Sequence, residues 1–147
     1  MNHLLSTSMI DREGALKLAK RRFRGRLSSS PRSFVSLAQL NASEAARIVQ
    51  DGLRIKADPA IVEDRLRGRS IAMLFEKPST RTRSSFDAAA HQIGGSATYI
   101  EWRTSNFTRG DICDKARVLS RFYDFIVARV NRHETIRILG AESEVPS

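Results

Sequence analysis

Short apolar segments alternate with longer amphipathic segments from residue 33 to residue 147. The apolar segments have the length of strands, while apolar side chains in the longer segments recur at helical spacing. We therefore predict strands at 71–75, 97–102 and 124–129, and helices at 42–57, 58–67, 112–122 and 133–139, with a further helix that opens at 79–83 and ends at residue 93. Short strands that alternate with helices are typical of a doubly wound, parallel α/β sheet, which is the fold class we predict.

Polar and turn-forming residues mark where these predicted elements begin and end. Asn41, followed by Glu44 three positions later, is the capping-box arrangement at the start of the first helix. Pro59 suits the first turn of the second helix, and Gly68 lies just past its end. Val145 is followed by a proline, and we predict that a further strand opens there.

Residues 1–32 differ in composition from the rest, and we interpret them as a basic leader that precedes a domain at 33–147. They hold eight Lys and Arg residues against two acidic ones, and end in a serine-rich linker. We expect a disordered or loosely helical tail. The alternatives are a mitochondrial transit peptide, a basic arm for RNA and an over-long start site; Asp11 and Glu13 count against a transit peptide.

Composition and charge narrow the class of protein. The chain has 147 residues and a net charge of +9, of which residues 1–32 contribute +6, so the predicted domain is only mildly basic and no nucleic-acid partner is expected. No apolar run approaches the roughly 20 residues that cross a bilayer, so we expect no membrane partner. The single cysteine, Cys113, excludes an internal disulfide and is interpreted as a packing residue. We expect a soluble, cytoplasmic protein, with the mitochondrial matrix as the alternative if the leader is a transit peptide.

A run of hydroxyl and guanidinium side chains, Ser79-Thr80-Arg81-Thr82-Arg83, follows the first predicted strand and opens a helix. The first turn of a helix presents unpaired backbone N–H groups and the positive end of the helix dipole, so it favours an anion. Serine and threonine add hydroxyl donors, and arginine adds a planar fork that binds phosphate through two hydrogen bonds. The run is not a nucleotide P-loop, because it lacks Gly-x-x-x-x-Gly-Lys. We predict a phosphate or carboxylate site.

A purely structural role is the alternative for these residues. Ser79 is a good N-cap residue, and capping alone is an ordinary use of serine there. Arg81 and Arg83 fit that alternative poorly, because a cation at a helix N-terminus opposes the dipole by roughly 0.3–1 kcal/mol. Ligands of such sheets bind at the carboxyl ends of the strands, where the run, the 103–110 loop and Arg129 are predicted to meet.

The stretch from Phe75 to Arg83 closely resembles the carbamoyl-phosphate motif of the aspartate and ornithine carbamoyltransferases. The resemblance extends over about 34–147. Residues 116–121, followed by Asp124 and Arg129, resemble the ornithine branch, as does the Phe-Glu-Lys sequence ahead of the serine. The resemblance implies that this chain is the carbamoyl-phosphate-binding domain of a two-domain α/β fold.

The resemblance also implies a role for each matching residue. The phosphate of carbamoyl phosphate would be held by Ser79, Thr80, Arg81 and Thr82, and Arg129 would reach both the phosphate and the carbamoyl oxygen. Arg81 and Arg129 would be catalytic, because fixed positive charge stabilises a leaving phosphate and a developing oxyanion. Without the resemblance, Arg129 would be interpreted as a surface arginine. Asn106 lies where the ornithine branch usually carries a glutamine, and its side chain is one methylene shorter. No metal or organic cofactor is implied.

The reaction that the resemblance implies is carbamoyl transfer to an amine with release of phosphate. Ornithine, converted to citrulline in arginine biosynthesis, is the favoured acceptor, and the aspartate branch is less favoured. The stretch from Thr108 to Asp111 resembles the family's Gly-Arg-Gly-Glu loop, which reaches into a neighbouring subunit in related enzymes and implies a homotrimer. The family's His-Pro-x-x-Gln segment and second domain are absent from these residues, and His91 and His133 are interpreted as structural or exposed. We expect the chain to be incomplete for turnover; the alternative is a stand-alone carbamoyl-phosphate-binding or non-catalytic partner domain.

Overall fold

A parallel three-stranded sheet lies at the centre of the computed structural model, which describes residues 33–147. Its strands are β1 (Ser70–Phe75), β2 (Ser96–Glu101) and β3 (Phe125–Arg129), in the order β2-β1-β3. Over these residues the α-helices are α1 (Ala42–Ala57), α2 (Thr80–Gln92), α3 (Ile112–Phe122) and α4 (His133–Glu142), with short 3₁₀ helices at Leu37–Gln39, Pro59–Val62 and Asn106–Thr108. Helix α2 is the crossover between the parallel neighbours β1 and β2, and α3 connects β2 to β3 on the other side of β1.

Helices cover both faces of the sheet, which confirms the predicted doubly wound α/β class. On one face, Ala72 and Leu74 of β1 pack against Ala116 and Leu119 of α3 and Leu139 of α4. On the other face, Ile71, Met73 and Phe75 of β1 pack with Ala90 of α2. Because both faces of the central strand are buried, its sequence is continuously apolar instead of alternating.

The strand register brings the carboxyl ends of all three strands to one edge of the sheet. Phe75 of β1 is level with Glu101 of β2 and with Arg129 of β3. Two backbone hydrogen bonds continue the pairing beyond the strands, from Trp102 N to Phe75 O at 2.8 Å and from Glu76 N to Arg129 O at 2.9 Å. The segments that leave the three strands therefore start side by side.

The predicted helix at 58–67 is wrong. Pro59–Val62 forms a 3₁₀ helix capped by the Asp58 side chain, and turns follow it to Gly68. Asp64 and Gly68 both have positive φ, at 59° and 70°, which an α-helix does not allow. The segment is held instead by tertiary structure, since Leu66 N donates to Ile93 O at 2.8 Å.

The predicted strand opening at Val145 is also absent, although the segment does reach the sheet. No strand is assigned at residues 145–147. Ile126 N of β3 donates to Pro146 O at 2.9 Å, and Val145 is buried against the core. The apolar character of Val145 therefore reflects burial beside β3 and not a paired strand.

Helix α1 begins and ends where the sequence predicts, but its apolar side chains are exposed. Asn41 Oδ1 accepts from Glu44 N at 2.9 Å, and Glu44 Oε2 accepts from Asn41 N at 3.0 Å, which confirms the capping box. Val49 and Leu53 are each 63% exposed, because α1 lies against Pro59–Val62 and not against the sheet. The apolar spacing also predicts Phe86 and Ala89 on the buried face of α2 and Phe122 on that of α3, but all three are exposed.

The prediction that residues 1–32 form a basic leader concerns residues that lie outside the described range. Within 33–147, none of the helices combines the length and the apolar content that spanning a bilayer demands.

The carboxylate of Asp124 ties the amino-terminal ends of β1 and β3 together. It accepts from the Arg69 guanidinium at 2.8 Å, from Ser70 N at 2.9 Å and from the Ser70 hydroxyl at 3.2 Å. Burial raises the pKa of Asp124, but the hydrogen bonds from Arg69 and Ser70 outweigh it, so that the pKa lies below its ordinary value. The charged form is therefore favoured in the folded state.

This lowered pKa predicts an acid-dependent part of the stability. The contribution is fully present above about pH 4, the unfolded pKa of an aspartate, and is lost as the pH falls through the lower folded value. We expect Asp124→Asn to lower the free energy of unfolding at pH 7 by on the order of 1 kcal/mol, since the pair is partly solvent-screened. The difference from wild type should shrink at pH 3. Urea unfolding at both pH values measures this, with substitution of the exposed Asp87 on α2 (Asp87→Asn) as control; an equal loss at both pH values contradicts the prediction.

Candidate functional site

Three of the predicted site residues meet at the carboxyl edge of the sheet. Ser79 lies at the N-cap position of α2, and its hydroxyl donates to Thr82 Oγ1 at 2.9 Å. The Arg129 guanidinium, at the end of β3, donates to the same oxygen at 3.4 Å. Thr82 therefore joins the start of α2 to the end of β3, as the strand-end prediction requires. We call Ser79–Thr82 together with Arg129 the anion cluster.

The Ser79 side chain does not cap the helix. It makes no hydrogen bond to a backbone N–H of the first turn, because its hydroxyl is directed to Thr82. The alternative that Ser79 serves only as an N-cap of the helix is therefore wrong. The N–H groups of the first turn are left to another acceptor, and Thr80 and Arg81 supply two of them at the positive end of α2.

The two arginines of the motif lie in different surroundings. The Arg83 guanidinium stacks 4.3 Å from the centroid of the Tyr99 ring on β2, an arrangement that favours a cation. Arg81 is exposed at the first turn. The stacking explains how Arg83 is tolerated near a helix N-terminus, while Arg81 is exposed in the same turn of α2. The Arg83–Tyr99 pair had no signal in the sequence, because only the fold brings the two segments together.

Asn106 lies in the loop that follows β2 but does not join the anion cluster. It opens the Asn106–Thr108 3₁₀ helix, where Ser105 Oγ accepts from Phe107 N at 3.3 Å, and its side chain is exposed. Across residues 33–147, no hydrogen bond is found between Asn106 and the anion cluster. The structure therefore places Asn106 in the loop at the carboxyl edge without bringing it to the same group of hydroxyls and guanidinium.

Lys115 holds this loop, and sequence reasoning did not find it. Its ammonium donates to Phe107 O and, at 3.1 Å, to Gly110 O. The same nitrogen lies 5.4 Å from the ring centroid of Trp102 and 5.9 Å from that of Phe107. A lysine early in a helix gives no sign in sequence that it reaches back into the preceding loop. In the structure, it ties the loop to α3.

We expect Lys115→Met to loosen the loop while leaving the sheet intact. The variant keeps the length of the side chain but removes hydrogen bonds from a charged donor, each worth roughly 1.5–3 kcal/mol. Backbone amides of 103–110 should exchange about tenfold faster or more, and the emission of Trp102, the single tryptophan, should shift to longer wavelength. Lys56→Met on exposed α1 is the matched control. Unchanged exchange and emission would show that Lys115 does not hold the loop.

The remaining candidates for chemistry do not form a second site. His91 and His133 are both exposed, as expected. Burial, and next its contact with Asp111, raise the pKa of the half-buried Cys113 thiol, which suits a packing residue better than a nucleophile. Among residues 33–147, no three His, Cys, Asp or Glu side chains are grouped as metal ligands would be.

Comparison with known proteins agrees with this arrangement. A family model described as the aspartate/ornithine carbamoyltransferase, carbamoyl-P binding domain, matches residues 32–147. The chain belongs to this family. The match covers the whole sheet and the anion cluster, so the described residues form a carbamoyl-phosphate-binding domain of the carbamoyltransferase type, and the resemblance stated from the sequence is confirmed.

Curated relatives are ornithine carbamoyltransferases. One from Rhodopseudomonas palustris is 40% identical over 123 residues, covering 81% of this chain and 40% of the relative. One from Cenarchaeum symbiosum is 44% identical over 110 residues, covering 74% of this chain and 36% of the relative. The chain thus spans about 40% of the length of the curated relatives it matches.

Solved structures show the same fold. The ornithine carbamoyltransferase of Pyrococcus furiosus is similar with a TM-score of 0.73 and 37% identity, covering 82% of this chain and 39% of that one. The catalytic subunit of M. jannaschii aspartate transcarbamoylase is similar with a TM-score of 0.69 and 26% identity, covering 78% and 39%. Both branches of the family therefore share this domain architecture.

Proposed function

We propose that this chain binds carbamoyl phosphate through Ser79, Thr80, Arg81, Thr82 and Arg129. The observation that supports the proposal most directly is the shared oxygen of Thr82, which receives hydrogen bonds from Ser79 and from Arg129. These bonds assemble two hydroxyls and a guanidinium beside the open N–H groups of α2. That set of donors suits a phosphate, which carries several acceptor oxygens and negative charge.

The proposed chemistry is carbamoyl transfer to an amine. The amine nitrogen attacks the carbonyl carbon, a C–N bond forms, the C–O bond to phosphate breaks, and phosphate leaves with the electron pair. The amine loses its proton to solvent or to the departing phosphate. Arg81 and Arg129 would stabilise charge on the leaving phosphate and on the carbonyl oxygen, which is electrostatic catalysis by fixed donors. No electrons are exchanged with a redox partner, so the proposed step needs no organic cofactor.

Ornithine is the acceptor that we propose for the full reaction. The curated relatives described above are ornithine carbamoyltransferases from a bacterium and an archaeon. The Phe-Glu-Lys sequence before Ser79 and residues 116–121 support the same branch. The aspartate branch is the second candidate, because the M. jannaschii enzyme shares the fold at lower identity.

We further propose that Asn106 serves the phosphate site of a neighbouring copy in a trimer. In this chain it is exposed and separate from its own anion cluster, which suits a residue used across an interface. Its amide offers the same donor and acceptor as glutamine with a shorter reach.

Titration with inorganic phosphate and with carbamoyl phosphate tests the proposal. We expect saturable binding, and we expect Thr82→Val to weaken it about tenfold, because valine keeps the shape but removes the oxygen that aligns Ser79 and Arg129. Thr98→Val on β2, where the threonine is exposed, is the matched control and should bind as wild type does. Absence of saturable binding, or equal losses in both variants, would contradict the proposed site.

A further inference from the structure

Glu76 makes two hydrogen bonds to the backbone at the end of β3, one just before Val130 and one just after it. Its N–H donates to Arg129 O at 2.9 Å, and its carboxylate accepts from Asn131 N. The two bonds together span 129–131, where the chain leaves the sheet. Glu76 is half-buried at the exit of β1, so the strand that leads into the anion cluster also holds the strand that ends in Arg129.

We propose that Glu76 is a positioning residue for the anion cluster. Its carboxylate fixes the 129–131 segment and thereby directs the Arg129 guanidinium to Thr82, 3.4 Å away. The backbone bond from Glu76 N continues the β1–β3 ladder and is available to any residue except proline at this position. The bond from the carboxylate to Asn131 N is specific to the side chain. The inference rests on the proposed function, since it concerns how the phosphate site is built.

Because Glu76 is negatively charged, the proposal can be tested by whether its removal weakens or tightens phosphate binding. A carboxylate close to an anion site repels the anion. If Glu76 has no positioning role, its removal should therefore tighten phosphate binding. If Glu76 positions Arg129, removal of the whole carboxyl group should weaken binding despite the loss of negative charge. The two accounts therefore predict opposite directions for one substitution.

Two variants separate charge from hydrogen bonding. Glu76→Gln keeps an oxygen that accepts from Asn131 N and removes the charge, so it should bind inorganic phosphate as tightly as wild type or up to a fewfold more tightly. Glu76→Ala removes the acceptor too, and should bind phosphate about tenfold more weakly, the factor that one lost net hydrogen bond represents. Glu63→Ala, an exposed glutamate in the connection before β1, makes the same change in net charge and controls for it.

A double-mutant cycle shows whether the effect passes through Arg129. In an Arg129→Ala background, Glu76→Ala should cause no further loss of phosphate affinity, because the group that it positions is gone. A merely destabilising substitution would lower the melting temperature but would weaken binding equally in both backgrounds. Equal effects in the two backgrounds, or tighter binding by Glu76→Ala in the wild-type background, would overturn the proposal.

Amide hydrogen exchange keeps this inference distinguishable from the proposed function. The Asn131 amide should be protected in wild type and in Glu76→Gln, and should exchange about tenfold faster in Glu76→Ala whether or not phosphate is present. Unchanged protection in Glu76→Ala would overturn the positioning role on its own. If the wild-type chain binds no phosphate, the proposed function fails, and with it the role of Glu76 in binding; the exchange result then decides only whether the carboxylate holds the segment.

Discussion

Replacement of Arg81 or of Arg129 by alanine is expected to weaken phosphate binding about 10- to 100-fold. A hydrogen bond from a charged donor contributes roughly 1.5–3 kcal/mol, and each factor of ten in affinity corresponds to about 1.4 kcal/mol. Arg129 donates to Thr82, so its guanidinium lies beside the hydroxyls of the cluster. Arg81 is exposed next to the unpaired N–H groups of α2. Calorimetric titration with inorganic phosphate measures both losses.

A matched arginine elsewhere distinguishes direct contact from net charge. Arg65 is exposed in the connection before β1, at the other end of the sheet, and Arg65→Ala removes the same charge from the chain. We expect it to change phosphate affinity less than twofold at 0.15 M salt, where charges more than about 8 Å apart are largely screened. Losses of the same size in all three variants would mean that the chain attracts phosphate only by its overall charge.

The elements that could be predicted from the sequence are those with strong local signals. Helix α1 agrees with prediction because Asn41 and Glu44 form a capping box, and α3 because its apolar spacing is regular. Strand β1 agrees because its sequence is continuously apolar from Ile71 to Phe75. The 58–67 segment could not be predicted, because the positive φ of Asp64 and the bond from Leu66 to Ile93 depend on contacts with a distant part of the chain.

Burial was harder to predict than secondary structure. The apolar spacing of α1 predicts a buried face, yet Val49 and Leu53 are exposed, because the sheet is covered by α2, α3 and α4. Spacing tells which residues share a face of a helix. It does not tell whether another element packs on that face.

The anion cluster could be predicted in part, because ligands of parallel α/β sheets bind at the carboxyl ends of the strands. Ser79 and Thr82 follow β1, and Arg129 is the last residue of the adjacent parallel strand β3, so the three meet at one edge of the sheet. Their binding roles stay predictions until phosphate is titrated. The roles of Tyr99, Lys115 and Glu76 could not be inferred, because each depends on a distance across the fold. The trimer, the cytoplasmic location and the leader also stay predictions.

The solvent exposure of the proposed site residues limits the electrostatic stabilisation that this chain can provide by itself. Arg81, Arg129 and Asn106 are all exposed to solvent in this chain. Two unit charges 4 Å apart interact with about 1 kcal/mol in water but about 4 kcal/mol where the effective dielectric constant is near 20. Electrostatic stabilisation of a developing oxyanion is therefore weak in an open site. An acceptor amine that is not held also loses the advantage of proximity, roughly 7–11 kcal/mol.

We therefore expect the 147-residue polypeptide alone to form no citrulline from carbamoyl phosphate and ornithine above the uncatalysed rate. The loss of proximity alone corresponds to a factor of about 10⁵ to 10⁸, against typical turnover on the order of 10 per second. A citrulline assay measures this on protein purified from a host that lacks its own carbamoyltransferase. Arg129→Ala is the control and should match wild type at background. Turnover of several per second that Arg129→Ala abolishes would contradict the prediction, and would mean that neighbouring copies of the chain close and complete one another's sites.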